Sequence, residues 1–163
     1  MEFRPNREAF ERVRDQIGFC GIWCGSCAVG NGSLTQLAVC LRHFLAAYDV
    51  PRWASAEIDW DAFLKALGSL GRTVGCTGCR RGGGRDDCDI RACAVGRGLM
   101  HCIDCASFAE CDHAAVLDHM RSGAAEVGLS VLSPGDHPEA MLEDWKRALP
   151  ARWPCRILFE ESE

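Results

Sequence analysis

The sequence offers little that would reach a membrane, a nucleic acid or a hydrolysable substrate. Its first residues, Met1-Glu2-Phe3-Arg4-Pro5-Asn6-Arg7, lead into a charged amphipathic segment without the apolar core of a leader, so no secretory signal is expected. The apolar stretches are short and interrupted, so no membrane span is expected either. Lys and Arg number 18 against 23 Asp and Glu, a formal net charge of -5, which argues against general nucleic-acid binding. Gly82-Gly83-Gly84 lacks the G-K-[S/T] of a phosphate loop and follows no strand signal. There is no H-E-x-x-H and no H-x-E with a following C-x2-C, and no Cys–His–Asp arrangement can be identified. Those absences rank an enzyme last among the functions considered.

What the chain has in excess is cysteine, 12 in 163 residues. Seven fall within the 36 residues from Cys76 to Cys111: Cys76, Cys79, Cys88, Cys93, Cys102, Cys105 and Cys111. Cys20, Cys24 and Cys27 form a separate C-x3-C-x2-C upstream. A C-x2-C turn points two thiolates at one tetrahedral ion while backbone N–H groups donate to the sulfurs. Without a leader, a cytoplasmic chain is expected, and reduced thiols in such clusters bind metal more often than they form disulfides. Glycine follows both Cys20 and Cys24, where a metal loop needs positive φ or a close backbone approach. Cys40, beside an apolar helical stripe, reads as a buried structural thiol, and Cys155 stands alone. Ten candidate ligands remain.

Between the motifs the patterning is helical. Asn6 can cap a helix over about 7–17 with Phe10, Val13 and Ile17 on one face. Ser33 with Gln36 reads as a capping box for a helix over 34–48, whose stripe is Leu34, Leu37, Leu41, Phe44, Leu45 and Tyr48. Pro51 marks a break. A helix over 57–67 carries Trp60, Phe63, Leu64 and Leu67, with Gly68 and Gly71 after it. Shorter helices fit 87–95 and 112–120, and Pro138 opens a last one that Pro150 ends. The segment Cys155 to Phe159 could be extended. The expected fold is mostly α: a small single domain, residues 1–163, in which cysteine-rich, zinc-knuckle or ribbon-like loops replace part of the core.

In C-G-I-W-C-G-S-C (20–27), C-T-G-C-R (76–80), C-D-I-R-A-C-A (88–94) and H-C-I-D-C-A-S-F-A-E-C (101–111), the chain resembles a cysteine-rich family, domain of unknown function 3795. The resemblance spans about residues 19–115, leaving a C-terminal helix and tail over 116–163. It implies metal binding and carries no established activity. The family often has Phe-Pro-Cys at the last position, where this chain has Ala109-Glu110-Cys111, which removes a rigid turn and keeps the ligand.

Four thiolates satisfy one Zn²⁺ or one [4Fe–4S] cluster, so ten cysteines allow about two sites. One economical partition groups Cys76, Cys79, Cys88 and Cys93, leaving Cys102, Cys105 and Cys111 to join Cys20, Cys24 or Cys27. A ribbon-like alternative pairs Cys76 and Cys79 with Cys102 and Cys105. His101 and His113 flank ligands and could substitute for one. Structural zinc supporting a binding or adaptor role is the first expectation; an iron–sulfur protein for electron transfer or redox sensing is the alternative. The arginines from Arg80 to Arg97 either offset thiolate charge or contact an acidic protein partner.

Overall fold

The computed structural model describes residues 8–152; Asn6, Cys155 and the segment 155–159 lie outside the described residues. Within them the chain is mostly helical. Seven α-helices follow in order, α1 (Glu8–Glu11), α2 (Ser33–Ala47), α3 (Val50–Trp53), α4 (Trp60–Leu70), α5 (Asp89–Gly96), α6 (Ala114–Glu126) and α7 (Pro138–Arg152), with one-turn 3-10 helices between them. Extended pairing among the described residues is limited to isolated antiparallel bridges, Ile17 with Trp23 and Ile22 with Val131. No helix of the described residues is long and apolar enough to cross a membrane.

Local chemistry accounts for most boundaries, with several departures from the sequence reading. The first expected helix is broken: α1 ends at Glu11, Arg12 leaves helical geometry at φ -125° and ψ 59°, and a 3-10 turn runs from Val13 to Gln16. The Ser33–Gln36 capping box does not form. Gly32 is the N-cap in left-handed conformation, and the buried Asn31 does the work, accepting the Ser33 N–H at 3.0 Å and donating to Gly25 O at 3.0 Å. Gln36 points instead toward the Cys40 sulfur, 3.5 Å away. Pro51 does break the chain, in the first turn of α3. Asp59 caps α4 by accepting the Ala62 N–H at 3.0 Å, and Gly68 lies inside that helix, which Gly71 ends. His113 is the N-cap of α6, one residue beyond Asp112. Pro138 opens α7, which continues through Pro150 to Arg152.

Two small apolar cores result. In one, Ala38, Leu45 and Leu67 are buried between α2 and α4, with Val50, Trp60 and Leu64 packed around them. The α2 stripe is wider than α4 can cover, so Leu41, Phe44 and Tyr48 stay exposed, the last two stacked with centroids 4.7 Å apart. In the other, Val13, Ile17, Trp23, Leu132 and Met141 are buried, and Phe10 and Trp145 close on Trp23 at 6.4 and 5.7 Å in edge-to-face contacts. Trp23 is the residue at the middle of the upstream cysteine motif. The second core is therefore built directly under the sulfurs.

Candidate metal centre

The upstream loop is held by backbone bonds that leave its thiols to one side. Gly18 N–H donates to Ile22 O and Gly21 N–H to Gly18 O, both at 2.9 Å, which turns the chain at Cys20. Gly21 sits at φ +85°, where a side chain would be strained and its Cβ would meet Arg121. Gly25 is needed for contact: a Cβ there would lie 2.5 Å from Ala9 O. Cys24–Ser26 and Cys102–Asp104 are both one-turn 3-10 helices, and in each the fourth residue's N–H returns to the first cysteine's carbonyl at 3.1 Å. The same C-x2-C sequence thus makes the same turn twice. The remaining knuckle is built on Gly78 at φ +83°, whose carbonyl accepts the N–H groups of Arg81 and Gly83 at 3.0 and 2.9 Å.

Long-range bonds then bring upstream and downstream motifs together. Cys102 N–H donates to Phe19 O at 2.8 Å, and Arg80 Nε donates to Ile17 O at 2.6 Å. Arg121 of α6 clamps the loop from behind, donating to Cys20 O at 2.9 Å and Leu132 O at 2.8 Å. Arg121 and Asn31 carry no motif, and a lone Arg or Asn in a sequence gives no sign of such a role.

All eleven described cysteines are free thiols and all are half-buried. Nine of the ten candidates fall into two neighbouring groups. Around Cys24 stand Cys20, Cys76 and Cys79. Burial first, then repulsion from Cys79, Cys20 and Cys76, pushes the Cys24 thiol up to about 12. The Cys79 and Cys20 sulfurs both lie against Gly18, where an added Cβ would be 3.1 and 3.5 Å from them. Cys88 flanks this group on the Cys20 side. Burial also raises the Cys20 thiol, with Cys79 and Cys88 adding to the effect.

The second group lines a cavity of about 70 Å³ with Cys93, Cys102, Cys105 and Cys111 in its wall. Burial pushes the Cys102 thiol up to about 11, aided by Cys20, Cys111, Cys93 and Cys105. Cys20 thus stands between the two groups. Cys27 takes part through its backbone, its carbonyl accepting the Asn31 N–H at 2.8 Å. The sulfurs are neighbours without converging: among the described residues, no set of three or more Cys, His, Asp or Glu side chains is drawn to one point tightly enough to hold a metal ion.

This grouping differs from both partitions considered from sequence. Cys93 shares a cavity wall with Cys102, Cys105 and Cys111, while Cys76 and Cys79 act with Cys20 on Cys24. The reason was legible. Cys88 is the N-cap of α5 and Cys93 lies five residues on, about 140° around the helix, so the two point to different sides. Of the histidines, His113 lines the cavity. His101 is buried and faces Arg80 Nη2 at 3.2 Å and Gly18 O at 3.4 Å through its Nδ1. Burial lowers its pKa, with Arg80 acting in the same direction.

The arginines between 80 and 97 are spent on the chain itself. Arg80 also donates to Met100 O and lies 5.0 Å over the Phe19 ring. Arg81 pairs with Glu8, and Arg85 with Asp87. Arg91 gathers the carbonyls of Gly83, Arg85 and Asp86. Arg97 directs Nη1 at the Cys105 sulfur, 3.6 Å away. Of these hydrogen bonds and ion pairs, the one from Arg97 reaches a thiol; the others go to carboxylates and carbonyls of the chain itself.

A family model described as "Protein of unknown function (DUF3795)" matches residues 16–116, the stretch that contains both cysteine groups. No curated protein and no solved structure matches the chain.

Proposed function

The chain belongs to the DUF3795 family, and from that premise we propose that it is a metal-binding protein with two adjacent four-thiolate sites. Cys20, Cys24, Cys76 and Cys79 would form one and Cys93, Cys102, Cys105 and Cys111 the other, with Cys88 and Cys27 outside them. The observation that carries the reading is the gathering of cysteines from residues 20–24, 76–79 and 93–111 into two groups by backbone bonds that do not use their side chains.

The donor set fits a thiophilic cation. The described thiols are free and partly buried, and burial with crowding opposes ionisation of Cys20, Cys24 and Cys102. A bound cation reverses both effects, because a coordinating thiol is deprotonated outright. Closing on an ion requires side-chain rotation, since the sulfurs do not converge as they stand. Zinc is the metal proposed for the Cys24 group, since four thiolates at tetrahedral spacing satisfy a single ion. Four thiolates leave no coordination position for water, so the role is binding and scaffolding, without hydrolysis at the metal.

Elemental analysis of anaerobically purified protein tests this. Thiophilic metal filling both groups is expected. Fewer than one equivalent of all transition metals together would overturn the proposal.

A further inference from the structure

The Cys93, Cys102, Cys105 and Cys111 group borders a cavity, and from that we infer that it takes a four-iron, four-sulfide cluster, while the Cys24 group takes the single ion proposed above. This rests on the metal-binding reading and goes beyond it by naming a different occupant for each group.

The argument is one of size. Zn–S bonds of about 2.3 Å bring four tetrahedral sulfurs to roughly 3.8 Å from one another, which leaves no interior room. Of the Cys24 group, Cys24 and Cys79 border a crevice too narrow to admit a water, beside Gln16, Ile17 and Gly78. The other four cysteines border about 70 Å³ of space. A buried water needs about 10–15 Å³ counted in the same way, so the cavity has room for several atoms. A single zinc would leave it largely unfilled; an eight-atom cluster would occupy it and keep its ligand sulfurs apart.

The walls agree with such a guest. Ile90, Ala94 and Leu117, buried and apolar at 4%, 0% and 2% exposure, back the ligands with carbon, while the exposed Arg97, Ser107, Glu110 and Asp112 complete the lining toward solvent. Arg97 directs its guanidinium at the Cys105 sulfur from the rim. A hydrogen bond to a ligand sulfur and burial of the cluster are the two means by which a protein sets cluster stability and potential. Cys93 and Cys102–Cys111 come from the end of one helix and two successive turns, so side-chain rotation can adjust their spacing without unfolding a long element.

The test uses the full chain, purified anaerobically and then incubated with equal parts of ferrous and ferric iron and with sulfide, which supply the two oxidation states of the cluster. Iron and acid-labile sulfide are assayed beside zinc, and Mössbauer spectra are recorded. About four irons and four sulfides per chain are expected, together with one zinc. Cys102→Ser and Cys111→Ser should lose iron and sulfide and keep the zinc; Cys76→Ser should lose the zinc. Two zincs per chain with no labile sulfide after reconstitution would overturn this inference and leave the metal-binding proposal standing. No metal in either group would sink both. Should a variant fail to fold, the iron, sulfide and zinc content of the unaltered chain decides the matter alone.

Discussion

The α2–α4 pair and the knuckle region between Gly75 and Asp112 are held together by different means. The helix pair buries Ala38, Leu45 and Leu67 and is capped by Asp59; it stands on carbon. The knuckle region has one eight-residue α-helix and several single turns, and of its residues only Gly78, Ile90, Ala94 and His101 are buried. What it has instead is seven half-buried thiols and arginines donating to its carbonyls. A segment of that length with so little apolar burial cannot offset its chain entropy from packing alone. The difference teaches that one half of the molecule stands on buried leucine and the other does not, which is why metal joined through sulfur is proposed to hold the second half.

Removing the metal should therefore break the comparison most strongly. Structural thiolate sites contribute on the order of 10 kcal/mol each. After chelation, amide exchange is expected to become fast across 76–111 and over the Cys20–Cys27 loop, which Cys102 N–H and Phe19 O tie together. Exchange in α2 and α4 should change far less. Equal loss of protection in both halves would mean that the helix pair has no independence.

A matched pair of core truncations sharpens it. Trp23→Ala removes a fully buried ring beneath the sulfurs, at a cost of roughly 3–5 kcal/mol, and should lower metal retention with stability. Part of that loss is recovered, because Trp23 Nε1 has no hydrogen-bond partner. Leu67→Ala should cost about 2–4 kcal/mol, read from denaturant unfolding, and leave metal content unchanged. Metal loss in the Leu67 variant would show that the halves are coupled.

A smaller effect is expected at a single glycine. A Cβ on Gly83 would meet Thr77 Oγ1 at 2.8 Å, Gly78 N at 2.9 Å and the Cys76 sulfur at 3.1 Å. Gly83→Ala must shift the backbone of the knuckle, so zinc should be lost to a competing chelator faster while helix content by circular dichroism stays the same. Gly82→Ala is not a fair control, since Gly82 is at φ +79°; Gly96→Ala, with open space around it, is. The smallest effect belongs to Cys40→Ala. Cys40 is half-buried on α2 beside Gln36, and its loss should cost under about 1 kcal/mol with no change in metal content. Loss of a metal equivalent there would move Cys40 into the ligand set.

Much of this was written in the residues. Leucine and aromatic spacing marked α2, α4 and α7 because a period of 3.6 survives whatever the helix packs on. Cysteine spacing marked the turns because C-x2-C makes the same local bonds wherever it sits. The grouping of the cysteines was harder, since it depends on which way α5 faces, and the five-residue step from Cys88 to Cys93 was the overlooked clue. The break at Arg12, the Asn31 clamp and the reach of Arg121 were not legible. The break at Arg12 and the reach of Arg121 depend on segments distant in sequence, Gly25 beside Ala9 and Cys20 beside Arg121, while the Asn31 clamp is local and an Asn six residues after a glycine carries no pattern.

The central claim is that sulfur alone surrounds the metal. X-ray absorption at the metal edge of the purified protein tests it most directly. The account predicts a first shell of sulfur only, four protein or sulfide sulfurs to each metal at about 2.3 Å. A shell with three sulfurs and an oxygen, or one dominated by nitrogen and oxygen, would contradict it.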